Sequence, residues 1–347
     1  MLERTATSRE NLPIALDASG GDRAPEQPVE GGVRAVRELG IPVALVGRAA
    51  EVERLVRGLG GPFPGLTIID APDVVTMEDQ AVAAVRRKSR ASIVVAIEEV
   101  KEGRASAVVS AGHSGAVVAG ALFGLGRLPG IDRPAIAIPF PKLTGGSVLL
   151  LDAGAVTDPR PQHLVQYARL ATAYLRYVDG VPEPRIGLLS NGEEAGKGNT
   201  LVRETHSLLA AAPDIRFAGN IEANAIISGT VDAVVCDGFT GNVLLKTAEG
   251  TAAFVQSALR EALTARWYTR IPALLLRRRL RQVARSLDYR AYGGAPLLGV
   301  RGIVIIAHGR SDSTAIKNAV AAAQRAAASG LVDSLMGGMV EQDAQRA

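Results

Sequence analysis

The residues of this chain that are equipped for chemistry sit where apolar runs give way to polar, glycine-containing turns. The clearest is Asp237-Gly-Phe-Thr-Gly-Asn242, which follows the apolar run Ala233-Val-Val-Cys236. Its glycines would let a backbone turn tightly and approach a ligand, while free N–H groups and the positive end of a following helix favour an anion. The same residues also suit a plain strand-to-helix turn with Thr240 or Asn242 as the N-cap. A second stretch, Ser190 to Asn199 (SNGEEAGKGN), carries three glycines, two acids and one lysine. It resembles a phosphate-binding loop in composition but not in pattern, because Lys197 precedes Gly198 where a Walker loop has Ser or Thr. Lys197 is the best single phosphate-ligand candidate.

Three further turns have the same plan. Asp17 and Asp22 bracket Gly20 and Gly21 after the apolar Pro13–Asp17 run, an arrangement open to proton transfer, metal binding or ordinary turn capping. Ala111-Gly-His-Ser-Gly115 follows Ala107–Ser110; Ser114 beside His113 suggests a hydrolase, yet adjacent residues seldom give nucleophile–base geometry and the G-x-S-x-G elbow is one residue short. Ser114 therefore reads as a cap or a phosphate donor. His308 follows Gly302–Ala307, where sites of parallel sheets collect, and a core histidine with its bonds satisfied fits equally. His163, near a helix start, reads as a surface or capping residue. Gly124-Leu-Gly126 falls at a helix end and gives no dinucleotide fingerprint.

These turns need rigid elements to hold them, and strand-like and helix-like segments alternate through the chain. Strands are expected at Pro13–Asp17, Ile41–Val46, Leu66–Ile69, Ala107–Ser110, Ala135–Pro139, Gly146–Asp152, Arg185–Leu189, Ala233–Cys236 and Gly302–Ala307. Helices are expected from Pro25, at Ala49–Leu59, Ala116–Leu125 and Pro161–Tyr177, from Thr200, and at Thr314–Ala328. That rhythm predicts an α/β fold, a mainly parallel sheet with helices on both faces.

Composition narrows the class. With 347 residues, 47% of them hydrophobic, the chain can bury a large core. The only cysteine is Cys236, so no intrachain disulfide or cysteine cluster is available and a reducing cytoplasm is expected. Residues 1–11 are polar and read as a disordered extension, not a leader, and no apolar run approaches a membrane span. The net charge of +4 is uneven: nine arginines between Arg260 and Arg290 face only Glu261 and Asp288, so the rest of the chain is acidic. With aromatic residues at 4%, nucleic acid is not an expected partner.

The basic segment has its own order. Leu276, Leu280, Val283 and Leu287 form one helical stripe, with Arg277, Arg278, Arg281 and Arg285 on the opposite side. This suits a protruding helix at 255–290 that packs on a twin, lies on an anionic membrane surface or docks an acidic protein. A smaller basic cluster, Arg86-Arg87-Lys88 with Arg90, reads as a solvated edge or a contact for an acidic protein. The organisation expected is one catalytic domain at 12–335 and a C-terminal tail at 336–347.

The stretches DASGGDRAPE, SAGHSGA, GIDRPA, NGEEAGKGN, VVCDGFTGNVLLKT and YGGAPLLGVRGIVIIAHGRSDSTAIKNA together resemble the bacterial phosphate acyltransferase family. The resemblance implies a three-layer αβα sandwich with a mainly parallel sheet, akin to the isocitrate/isopropylmalate dehydrogenase and phosphotransacetylase group. It also implies a homodimeric, cytoplasmic enzyme that associates with the membrane and makes acyl phosphate from acyl-acyl carrier protein and inorganic phosphate, at the entry to phospholipid synthesis, with no cofactor and no metal. Lys197 and Asn242 are the catalytic residues it implies. Asp17, Gly20, Gly21, Asp22, His113, Ser114, Gly198, Asn199, Asp237, Thr240, Gly241 and His308 are the expected substrate- or phosphate-binding set. The family usually has Met, Asn and Thr where this chain has Ser19, His113 and Ser114. The alternatives are a phosphotransacetylase-like enzyme using acyl-coenzyme A, and a non-catalytic membrane-surface scaffold.

Overall fold

The computed structural model describes residues 12–266, 268 and 293–344. The 1–11 extension and the arginine–leucine stripe of the basic segment, residues 276–287, lie outside the described residues.

The strands are β1 (Ile14–Asp17), β2 (Val43–Gly47), β3 (Leu66–Asp70), β4 (Ala107–Ser110), β5 (Ala135–Ile136), β6 (Ile138–Pro141), β7 (Ser147–Leu151), β8 (Ile186–Leu189), β9 (Phe217–Ile221), β10 (Ala233–Val235), β11 (Ala295–Leu298) and β12 (Ile303–Ile306). The helices are α1 (Glu26–Leu39), α2 (Ala49–Gly58), α3 (Ala81–Arg87), α4 (Ser92–Lys101), α5 (Ser114–Gly124), α6 (Pro161–Tyr177), α7 (Thr200–Ala210), α8 (Ala223–Ser228), α9 (Gly238–Thr264), α10 (Ser313–Ala328) and α11 (Leu331–Ala344). The last of these runs through position 336, where a tail was expected to begin.

The expected α/β alternation is borne out, but the strands divide between two sheets. The larger has the order β3-β2-β1-β4-β12-β11-β5 and the smaller β6-β7-β10-β8-β9. Pairing is parallel from β3 to β12 and from β7 to β9, and antiparallel where β11, β5 and β6 join. Periodicity could not reveal the division, because a strand covered on both faces reads alike in either sheet. In the larger sheet Leu16, Val109 and Ile305 point into a core with α1 and α10, while Ala15, Val108 and Val304 point into another with α4 and α5. Helices thus cover both faces. The first of these cores continues through Tyr167 and Leu170 of α6 to Leu149, Ile186 and Val235 of the smaller sheet, so one apolar mass joins the two.

Chain order decides where a ligand can enter. From β1 the chain runs outward to β2 and β3, then returns to place β4 on the other side of β1. The carboxyl ends of β1 and β4 therefore form a switch point, where open α/β sheets leave a crevice.

Candidate functional site

At that switch point Asp17 ends β1 and is 2% exposed. Its Oδ2 accepts from Ser110 Oγ at 2.7 Å and its Oδ1 from the Ser19 N–H at 3.2 Å. Burial raises its pKa above the usual carboxylate value, and the bonds from Ser92, Ser110, Ser19 and Gly20 oppose that rise. This carboxylate fastens the β1 turn to the β4 turn. Gly20 is required for this: a Cβ there would stand 2.5 Å from Asp17 Oδ2 and 2.9 Å from the Gly112 amide nitrogen. Asp22 is exposed, and its N–H donates to the Gly309 carbonyl at 2.8 Å, which brings in the turn after β12. The turns carrying Asp17, Gly20, Gly21, Asp22, His113 and His308 therefore meet. A small pocket lined by Asp17, Gly20, Val75, Ser110, His113 and Val117 opens there.

In this region His113, not Ser114, is the N-cap of α5; its Nδ1 accepts from the Gly115 N–H at 3.1 Å. Ser114 is exposed in the first turn. His308 Nδ1 accepts from the Arg310 N–H at 3.0 Å, which fixes the ring against its own turn. Burial lowers the His308 pKa below its usual value; Lys246 and Arg310 act in the same direction, and Glu249 and Asp22 oppose. Lys246 and Glu249 belong to α9, so the helix that leaves the smaller sheet passes beside the β12 turn of the larger one.

The stretch Asp237 to Asn242 differs from its sequence reading. It is not a loop: α9 begins at Gly238, and the N-cap is Asp237, whose Oδ1 accepts from the Thr240 N–H at 2.8 Å and whose Oδ2 accepts from Thr240 Oγ1 at 2.7 Å. The Gly238 and Gly241 amides donate to Val156 O and Asp237 O. These N–H groups are occupied within the fold, so the anion cradle expected of them is not supplied by those amides. The glycines serve packing instead. A Cβ on Gly238 would stand 2.6 Å from both Asp152 Oδ2 and Val156 O, and one on Gly241 would overlap the Asp152 carbonyl oxygen.

Asp152 is the centre of this junction. Its Oδ1 accepts from the amides of Ile136 (2.9 Å), Gly154 (3.1 Å) and Ala155 (3.0 Å), and its Oδ2 from that of Val156 (2.7 Å). Ile136 belongs to the larger sheet, so one carboxylate ties the two sheets together. Burial raises its pKa, against the pull of those four amides. Cys236, 3% exposed, donates its thiol to the Asp152 carbonyl at 3.5 Å, and burial pushes that thiol well above its usual pKa. It is packing, not a nucleophile.

After β8 the turn is held by its own polar groups. Asn191 Oδ1 accepts from Gly198 N–H at 2.9 Å, and Asn199 caps α7 by accepting from Val202 N–H at 2.9 Å. Asn220 of β9 donates Nδ2 to the Glu194 carbonyl at 2.9 Å. A Cβ on Gly192 would stand 2.8 Å from Lys197 Cγ, so that glycine lets the lysine stem lie across the turn. Lys197 is exposed, and its ammonium makes no hydrogen bond among the described residues. Asn242 is likewise exposed and makes no side-chain hydrogen bond among them; it lies beside Gly154. Strands β8 and β10, which deliver these two side chains, are neighbours.

Sequence reading passed over Asp152 as a site organiser, Ser110, and the α9 pair Lys246 and Glu249, whose Nζ and Oε2 lie 2.8 Å apart. Lys246 was detectable once α9 began at Gly238, because it then lies one helical turn beyond Asn242 on the same face. Among the described residues no three His, Cys, Asp or Glu side chains gather as a metal-holding group, and no helix is long and apolar enough to cross a membrane.

Comparison with known proteins bears on this geometry. In fold, the chain is similar to a phosphotransacetylase from Streptococcus pyogenes, with a TM-score of 0.60 at 20% identity over 94% of this chain and 99% of that one. It is similar also to 4-hydroxythreonine-4-phosphate dehydrogenase from Klebsiella pneumoniae, with a TM-score of 0.56 at 16% identity over 91% and 98% of the two chains. Identities this low speak to the fold alone, and they agree with the dehydrogenase-like fold expected from sequence. Sequence relatives are nearer. A phosphate acyltransferase from Synechocystis is 48% identical over 90% of each chain, and one from Desulforudis audaxviator is 45% identical over 94% of this chain and 96% of its own. A family model described as fatty acid synthesis protein matches residues 12–334. With a match of that length and relatives of that identity, the chain belongs to the phosphate acyltransferase family of fatty acid synthesis proteins.

Proposed function

We propose that the chain transfers a fatty acyl group from acyl-acyl carrier protein to inorganic phosphate, giving acyl phosphate for phospholipid synthesis. The observation that carries this is the contrast between two free side chains and their neighbours. Lys197 and Asn242 are exposed and unpaired among the described residues, whereas Asp237, Thr240, Asn191 and Asn199 are hydrogen-bonded within their own turns.

The chemistry asks little more of the protein. Phosphate is already an anionic nucleophile, so positioning and charge neutralisation matter more than an activated serine or cysteine. Lys197 holds phosphate. A phosphate oxygen attacks the thioester carbonyl; the C–O bond forms, the C–S bond breaks, and the thiolate of the donor leaves with the electron pair. The Asn242 amide donates to the oxyanion of the tetrahedral intermediate, a contribution of about 2.7–4 kcal/mol for such a donor. Asp17 and Asp152 position the turns and take no proton from substrate. His113, Ser114, Asp22 and His308, on the turns of the larger sheet, complete the substrate- and phosphate-binding set of this reading.

The same reading makes the protein a cytoplasmic homodimer that associates with an anionic membrane surface. The support is the exposed apolar side chains of α9, where Phe239, Val243, Phe254, Val255 and Leu259 are between 45% and 72% exposed, together with the arginine–leucine pattern that follows it in sequence. Incubation with phosphate and either acyl-carrier protein or acyl-coenzyme A, with assay of free thiol, tests the function. Thiol release from coenzyme A alone would make it the phosphotransacetylase-like enzyme, and release from neither would remove the catalytic reading.

A further inference from the structure

One basic cluster noted in the sequence has no part in the chemistry above. Arg86 and Arg87 end α3, and Lys88 and Arg90 follow; the last two are paired, Lys88 with Asp79 at 2.6 Å and Arg90 with Asp70 at 3.0 Å. Arg86 and Arg87 are exposed and have no carboxylate partner among the described residues. Arg86 instead stacks on Phe123 of α5, with its guanidinium carbon 4.7 Å from the ring centroid. Phe123 and Val82, one helical turn before Arg86, are each 50% exposed. An exposed aromatic ring, an exposed valine and Arg86 thus share one face, and Arg87, also uncompensated, is next to Arg86 at the end of α3.

This face leads to the pocket at the β1–β4 switch point. Helix α3 lies along α5 from its first turn to its last: a Cβ on Gly115 would stand 3.2 Å from Ala81 Cβ, one on Gly120 would stand 4.0 Å from Val85 Cγ1, and Arg86 reaches Phe123. Glycines on α5 permit that close approach. The other end of α5 is capped by His113, which lines the pocket with Asp17 and Ser110. At a rise of about 1.5 Å per residue, Phe123 lies ~13 Å from the pocket end of the helix. A flexible arm anchored near Phe123 can cover that span and deliver its thioester to the pocket.

We infer that the α3–α5 face, with Arg86, Arg87, Val82 and Phe123 as its centre, docks the acidic carrier protein that supplies the acyl thioester. The inference rests on the acyl-transfer reading above. Charge complementarity selects the partner: two unpaired arginines beside an aromatic anchor suit an acidic protein surface with an apolar contact at its middle.

The test uses the full chain carrying Arg86→Glu with Arg87→Glu, and separately Phe123→Gln. Binding of labelled carrier protein is titrated at low and raised salt, and initial rates are measured with acyl-carrier protein and with acyl-coenzyme A. The expected result is a rise of at least about tenfold in both Kd and KM for the carrier protein in the arginine variant, with kcat unchanged. The wild-type affinity should fall with salt, and the variant's should respond far less. Any turnover of acyl-coenzyme A should be the same in all proteins. Unchanged Kd and KM for the carrier protein overturn the inference, as does loss of binding to anionic vesicles with carrier-protein affinity intact, which assigns the face to lipid. If the wild type binds the carrier protein but releases no thiol, the catalytic reading fails, and the binding titrations still decide the docking face.

Discussion

The carbonyl oxygen of Asp152 occupies the space in which a side chain on residue 241 would begin. Helix α9 can therefore start at Gly238 and bring Asn242 beside Gly154 only because residue 241 has no Cβ. A second glycine of the same helix, Gly250, has nothing within 4 Å of its Cβ position. Gly250→Ala should raise stability by about 0.5–1 kcal/mol, as expected for an exposed helical glycine. Gly241→Ala should lower it by about 1–3 kcal/mol, the usual cost of overpacking, and should reduce turnover by displacing Asn242. Thermal melts of the two variants, run beside wild type, check both signs.

Asp152 accepts four backbone amides, which an amide side chain cannot do. Asp152→Asn would set its NH2 against at least one of them, the nearest being the Val156 N–H now 2.7 Å from Oδ2. An unmade buried hydrogen bond costs roughly 1–3 kcal/mol, and a fall in melting temperature of that origin is expected although the volume is unchanged. A melting temperature equal to wild type would show that the network does not hold the sheets together.

The pH dependence of stability should carry the mark of His308. Its pKa is lowered in the folded state by burial, so the unfolded chain binds the proton first as pH falls. The contribution is present above about pH 6.5 and is lost as pH drops through the lowered folded value. His308→Asn keeps a side-chain acceptor for the Arg310 N–H but does not titrate. It should match wild type above neutrality and lose less stability towards pH 5. His163, also lowered by burial, adds a term of the same sign, so the slope shrinks without vanishing. Melts across this range check it; identical profiles would remove His308 as the source.

Turnover separates the site's side chains. Asn242→Ala should cut kcat by about 10²–10³, the loss seen when an oxyanion donor is removed, with its melting temperature held. Lys197→Ala should raise the KM for phosphate and also cut kcat. Cys236→Ala should stay active at a stability cost of about 1 kcal/mol, because the thiol is buried against Asp152. Steady-state kinetics in phosphate decide each case, and an inactive but folded Cys236→Ala would restore a thiol mechanism.

Much of the fold was legible because the apolar runs are unambiguous. Pro161–Tyr177 was bounded correctly from its sequence alone, since Pro161 opens the helix and the buried face repeats through Leu164, Ala168 and Leu175. The site was legible in its types but not in its geometry. The Asp237–Asn242 glycines signal a turn to any reader of sequence, yet they answer to Asp152, eighty-odd residues earlier, whose carbonyl no local pattern reveals. Likewise Lys246 gained meaning only from the β12 turn beside it. Long-range proximity was the missing quantity in both cases, as it was in the division into two sheets.

Strand β12 lies between β4 and β11, and α10 packs so tightly on α1 that a Cβ on Gly31 would stand 2.5 Å from Ile316 Cβ. During synthesis, β1 and α1 leave the ribosome first but must wait for nearly the whole chain before their last neighbours arrive. Until then the edge of β4 and the apolar face of α1 are bare, a state open to aggregation and to chaperones. Because the β12 turn also carries His308 and the Gly309 carbonyl that holds Asp22, a chain released before residue 303 lacks the anchor of the Asp22 turn as well as its central strand. The turn after β12 must thus be made before the junction of the β1, β4 and β12 turns can exist.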